Sequence, residues 1–285
     1  MRKISSYLKT IILLGVLTTL LAAIGYYFGG VQIGIYFLVF GILMNVIMYW
    51  FSDRIALLMN GAQPLSERDA EWLYSDVREL SRRMRIPMPR LFVSPSLQPN
   101  AFAAGRSPGK SVICVTSGLL QSLEREEIRA VVAHELGHIR NYDVLLATVA
   151  AVVASLISSI ANITMRMSLY GNSRSKRSGG IGGILLLIVA PISALLIQLA
   201  ISRTREYAAD EASAEATGKP RDLAEALIKI SDTAKRVPMN VNPALASLYI
   251  QNPFKGGGII ELFSTHPKIE KRIERLLAME KRSVI

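Results

Sequence analysis

Three residues able to do hydrolytic chemistry lie within about one helical turn. Residues 133–138 read Ala-His-Glu-Leu-Gly-His, a His-Glu-x-x-His pattern. At positions i and i+4, His134 and His138 share one helix face, so both imidazoles can reach one ion. Imidazole nitrogens suit zinc, and two of them make half of a tetrahedral site. Glu135 lies about 100° round the helix from His134. It therefore flanks the metal, where it can take a proton from an activated water. The chain has 3 His and two of them are here, which makes a chance pairing on an ordinary helix the weaker reading.

The surrounding residues can build that helix. Glu124, Glu126 and Glu127 favour its first turn, where the dipole welcomes negative charge. Ile128, Val132, Leu136 and Ile139 form an apolar stripe on another face, so packing and metal binding do not compete. Gly137 costs helix propensity, a cost that makes sense if a second backbone passes close by.

Such a site needs a third protein ligand and one open position. The downstream candidates are Glu206, Asp210, Glu211, Glu215 and His266. Helix height favours Glu206. Apolar runs cover Val144–Ile163 and Ile181–Ile201. If their helices continue unbroken beyond the membrane, His138 and Glu206 rise about 9 Å and about 7.5 Å above it. Asp210 falls one turn beyond Glu206, where a carboxylate can orient a ligating imidazole.

The elements that must position these groups belong to a membrane protein. The chain has 285 residues, 51% of them hydrophobic, and a mean hydropathy of +0.33. The formal net charge of +11 fits basic cytoplasmic loops drawn to anionic lipid. With no nucleic-acid-binding motif, nucleic acid is not an expected partner. The single Cys114 excludes an intrachain disulfide framework and fits a reducing compartment. Ile11–Phe28 and Val31–Phe51 are apolar runs joined by Gly29-Gly30, which predicts a helical hairpin anchor. Basic residues before and after it (Arg2, Lys3, Lys9; Arg54, Arg68, Arg78) place both ends in the cytoplasm.

Between the hairpin and the motif, Ser66-Glu67-Arg68-Asp69 resembles a capping box, and Leu73, Val77, Leu80 and Met84 predict the helix behind it. Pro87 and Pro89 end that helix. Arg90–Val93 and Lys110–Val115 read as strands. Pro99–Gly105, with its small side chains, is either a loop or an edge strand that could pair with extended peptide. Ser202–Thr217 is helical and stopped by Gly218 and Pro220. Leu223, Ala226, Leu227 and Ile230 mark another helix, and Ile269, Ile273 and Leu276 a terminal one.

With these residues in view, the chain resembles the HtpX family of membrane-bound zinc metalloproteases, relatives of the CAAX prenyl proteases. The resemblance rests on HELGH at 134–138, SRTREYAADEASA at 202–214, PNAFAAG at 99–105 and STHPKIEKRI at 264–273. It implies one Zn2+ per chain held by His134, His138 and Glu206, with Glu135 as catalytic base. It also implies that Asp210 supports the ligands. Asn100, Ala101, Phe102 and Ala103 would engage substrate backbone, and His266 would help stabilise the tetrahedral intermediate. The expected role is stress-linked quality control of membrane or unfolded proteins at the cell (inner or plasma) membrane, and a homo-oligomer is compatible with it. The expected fold is a mainly α membrane protein. Four hydrophobic helices carry a cytoplasmic, zincin-like α+β protease domain with a small β-sheet. The expected segments are 1–55 (first hairpin), 56–143 (first part of the protease), 144–201 (second hairpin) and 202–285 (second part). Two rivals are an intramembrane metalloprotease, which would bury the motif in an apolar run, and a zinc-binding scaffold, which would not need Glu135.

Overall fold

The computed structural model describes residues 2–155, 202–234, 236, 248–250 and 267–283. Helix α1 (Arg2–Met59) breaks at Gly29 and Gly30, where Gly30 takes a φ of 67°, a left-handed value that glycine adopts without strain. The two legs fold back on each other. Asn45 Nδ2 donates to Thr18 Oγ1 at 2.8 Å and to the Leu14 carbonyl at 3.3 Å, and Gly41 lets Thr18 approach. The legs, Ser6–Tyr27 and Gly29–Met59, are strongly apolar, and most of their surface is left uncovered by the rest of the protein. Helices so apolar and so little covered are not core helices; they are long enough to cross a membrane.

Four strands follow: β1 (Gln63–Pro64), β2 (Arg90–Ser94), β3 (Ala101–Gly105) and β4 (Ser111–Thr116). Their order is β1-β2-β4-β3. β2 and β4 are parallel, and β3 runs antiparallel to β4 with Ala101 opposite Val115 and Ala103 opposite Ile113. The Pro99–Gly105 stretch is therefore an edge strand. The short β1 was not foreseen.

Helix α2 (Glu71–Arg83) begins after Ala70 with no side-chain cap. Ser66 Oγ instead accepts from the Arg68 N–H, so the capping-box resemblance is a turn ahead of the helix, not its start. Helix α3 (Ser117–Ser122) is capped by Thr116, whose hydroxyl accepts from the Leu119 N–H at 3.1 Å. Helix α4 (Arg125–Arg140) carries the His-Glu-x-x-His motif. Its N-cap Glu124 and Glu127 form a reciprocal capping box, so those acids satisfy orphan N–H groups as well as the dipole. Asp76 of α2 is buried between Arg125 and Arg129 of α4, at 3.0 and 2.8 Å, and ties the two helices.

Helix α4 does not run on into the next apolar segment. Tyr142 has a φ of 61°, and a new helix α5 (Val144–Ser155) starts after it. Helix α6 (Arg203–Thr217) likewise starts afresh after an extended Ser202. The continuous helices on which the equal heights of His138 and Glu206 depend are thus not met: α4 stops before α5, and α6 begins only after Ser202. Helices α7 (Pro220–Ala234) and α8 (Ile269–Ser283) complete the described elements. One core joins Leu73, Val77, Ile113, Ile128, Leu136, Leu227 and Leu276. A second joins Met48 and Leu57 of the hairpin to Phe102, Cys114 and Tyr249. The rest of the third apolar run, the whole fourth run, the basic segment between them, and His266 lie outside the described residues.

Candidate metal centre and active site

Helices α4 and α6 cross where Gly137 sits. A Cβ on Gly137 would stand 3.1 Å from the Ala209 Cα and 3.1 Å from the Ala212 Cβ, so glycine is what lets the second backbone approach. Ser213 Oγ donates to the Ala130 carbonyl at 2.8 Å, while His134 faces Asp210 and His138 faces Glu206. These pairings run in opposite senses, so the helices are antiparallel and Glu206 arrives opposite the His pair.

The resulting cluster fits a metal. His134 Nε2 and His138 Nε2 are 3.2 Å apart. Two nitrogens bound tetrahedrally to one zinc at about 2.0–2.1 Å would be separated by about 3.3 Å. Glu206 Oε1 lies 3.5 Å from His138 Nε2, and Glu206 Oε2 3.8 Å from His134 Nε2. One donor from each residue falls within a 4.8 Å circle of the others. Asp210 Oδ1 accepts from His134 Nδ1 at 2.9 Å, which leaves Nε2 as the lone-pair face. Glu211 and Glu215, the other acids considered, point outward and pair with Arg275 and Arg140.

Burial pushes His134 down to about 4, against the pull of Asp210. His138 is also buried, but Asp143, Glu206 and Glu135 outweigh that and raise it to about 9. Glu135 is 2% exposed. Burial and the nearby Glu206 charge lift its carboxyl to about 7, opposed in part by His138 and by the Ala103 backbone amide.

The acid thus faces the sheet edge. Asn100 exchanges bonds with Thr116 on the β4 side, and the antiparallel alternation then turns Ala101 and Ala103 to the free edge. The Ala101 N–H goes to Asn100 Oδ1 and its carbonyl accepts from the Ile250 N–H at 3.1 Å. Phe102 is fully buried against Tyr249, with ring centroids 5.4 Å apart. Of the four residues expected to meet substrate backbone, only Ala101 and Ala103 have main-chain groups aimed outward.

A residue with no role in the sequence reading stands behind the centre. Arg272 of α8 is 2% exposed. Its fork grips Asp210 at 2.7 and 3.0 Å, its Nη1 reaches Glu206 at 3.5 Å, and it donates to the Ile250 carbonyl at 3.0 Å. The signal was available: 269, 272, 273 and 276 share a helix face, which puts Arg272 on the apolar side.

Residues 67–280 match the sequence profile of peptidase family M48. The chain belongs to peptidase family M48. It is similar to the "Protease HtpX homolog" of Aquifex aeolicus, with 47% identity over 92% of this chain and 89% of that one. The "Protease HtpX homolog" of Pyrococcus furiosus is 47% identical over 97% of this chain and 98% of its own. The crystal structure of S. mikatae Ste24p shares the fold, with a TM-score of 0.51 at 23% identity. The match covers 96% of this chain and 66% of that longer one. The expected HtpX resemblance is borne out, and the chain is a membrane-bound, zinc-dependent metalloprotease.

Proposed function

We propose that the chain is an endopeptidase acting on membrane or misfolded proteins at the cytoplasmic face, with His134, His138 and Glu206 holding one zinc ion. Glu135 is its general base. One observation carries this reading: Glu135 lies beside the metal donors and at the same time faces the Ala103 backbone amide of the edge strand. A single carboxyl thereby touches both the place where water is activated and the strand on which an extended peptide would pair.

When bound, zinc supplies a Lewis acid that lowers the pKa of water toward about 7 and polarises the scissile carbonyl. Asp210 fixes the His134 tautomer, and Arg272 holds Asp210 in place. Glu135, with its carboxyl near 7, takes a proton from the attacking water and returns it to the leaving amine. Substrate adds to β3 through Ala101 and Ala103, taking over the bond now made by Ile250. His266, outside the described residues, is assigned a hydrogen bond to the oxyanion. The basic flanks of the first hairpin support a cytoplasmic site. Two further hydrophobic helices from the runs at 144–163 and 181–201, and the four-segment division at 55, 143 and 201, complete the proposal. The motif helix is packed on a sheet and capped by charged residues, which favours this over an intramembrane site.

The ligand set is tested by zinc titration of full-length protein. Glu206→Gln should weaken binding by at least about tenfold, while Glu211→Gln, on the exposed face, should leave it unchanged. Tight stoichiometric zinc in Glu206→Gln would remove Glu206 from the set.

A further inference from the structure

A hollow of about 350 Å³ lies where the second leg of the hairpin meets the protease unit. Trp50, Asp53 and Arg54 of α1 line it together with Arg90 of β2 and with Arg106 and Lys110 from the β3–β4 connection. It thus gathers four cations and one carboxylate. Asp53 is engaged by Arg90 at 3.2 Å. Among the described residues, no carboxylate pairs with Arg54, Arg106 or Lys110. The Arg106 guanidinium lies over the Trp50 ring, 3.9 Å from its centroid, and its carbonyl accepts from the Tyr7 hydroxyl at the start of the other leg. Both ends of the hairpin therefore hold this basic turn in place.

The level of the hollow along α1 is informative. Trp50 and Phe51 end the apolar run, and Asp53 and Arg54 are the first charges after it. Aromatic rings at such a boundary sit at the depth of lipid headgroups. Immediately along the leg, Leu43, Val46 and Ile47 are exposed, an apolar track leading out of a cationic hollow. A free anion would need the charge alone. A phospholipid would use both, its phosphate among the cations and its chains on the track.

We propose that this hollow binds the headgroup of an anionic phospholipid. The bound lipid pins the β3–β4 connection, and hence the edge strand that reaches Glu135, to the membrane surface. None of the proposed ligands or catalytic groups takes part, so the inference stands apart from the peptidase mechanism.

The chain has 2 Trp, so Trp72→Phe leaves Trp50 as the one indole and a reporter inside the site. In detergent, full-length Trp72→Phe protein is titrated with short-chain phosphatidylglycerol, with phosphatidylcholine of the same chain length, and with inorganic phosphate. Phosphatidylglycerol should change Trp50 emission at much lower concentration than phosphatidylcholine, and phosphate should do nothing in that range. Each basic side chain removed should weaken phosphatidylglycerol binding about fivefold, so Arg54→Gln with Lys110→Gln should lose about 25-fold. Removing equal charge elsewhere, by Arg82→Gln with Lys271→Gln, should leave the curve unmoved. Equal affinity for the two lipids overturns the proposal, and that comparison needs no charge variant. So does a full response to phosphate alone, an unweakened double variant, or equal loss in the remote pair.

Discussion

On the motif face of α4 the two imidazoles are shifted in opposite directions. His134, at about 4, is already neutral at pH 7, whereas His138, at about 9, holds its proton there in the metal-free protein. A folded pKa raised above the ordinary 6.5 gives stability that is fully present below that value and lost as pH rises through about 9. Zinc needs the neutral ring, so binding at pH 7 releases the His138 proton. Apparent zinc affinity should therefore fall about tenfold for each pH unit below about 9 on account of this group. Competition with a chelator of known affinity at pH 6.5 and 7.5 measures it, and equal affinities would contradict the assignment. Arg272 matters to stability. It is the buried counter-charge to Asp210 and Glu206, so Arg272→Met should destabilise the protein by about 3–5 kcal/mol. Arg272→Lys should recover only part, because an ammonium cannot fork onto both Asp210 oxygens. Thermal unfolding in detergent reads both, and a Met variant as stable as the parent would show that the carboxylates need no cation.

Glycine at position 137 decides how two elements meet. The neighbour at 3.1 Å is the Ala209 backbone, which cannot swing aside as a flexible side chain would. Gly137→Ala should therefore cost about 1–3 kcal/mol in overpacking, against about 1 kcal/mol gained in helix propensity. The same wedge would move Glu206 away from the His pair, so zinc affinity should fall even where stability holds. Unchanged affinity in Gly137→Ala would mean that α6 can shift without carrying the ligand off. The close approach was legible in the sequence because a glycine inside a metal motif has a local cost to explain. So was the His pair, whose geometry depends on one helix alone. Glu206 was chosen on a premise that fails, since Tyr142 separates α4 from α5 and α6 begins only after an extended Ser202; the antiparallel crossing of α4 and α6 is what places it beside the His pair. Arg272 was passed over because a charge on an amphipathic helix ordinarily faces water. Residues 248–250 have no periodicity, and their bonds to β3 and Arg272 span distances in sequence that no local pattern encodes.

Across the whole molecule, Tyr249 links the hairpin to the catalytic unit. Its hydroxyl donates to Asn60 Oδ1 at 2.6 Å, just beyond α1, while its ring packs on Phe102 of the edge strand. Tyr249→Phe leaves a buried amide oxygen without its donor and should cost about 1–3 kcal/mol; a stability loss well under that would show that water replaces the hydroxyl. The proposed topology is open to cysteine labelling without removing Cys114, which is buried and whose thiol is pushed up to about 12. A cysteine at the exposed Glu215 should react only from the cytoplasm and one at Asn172 only from outside. Labelling of Asn172 from the cytoplasm alone would contradict two further crossings. In the proposed reaction the buried Glu135 carboxyl beside a bound zinc drives peptide hydrolysis. Zinc content and casein cleavage, measured side by side on full-length Glu135→Gln, test that role. Zinc should stay near one per chain while the rate falls by at least about a hundredfold; a variant that holds zinc and still cleaves at the parent rate would rule out Glu135 as the base.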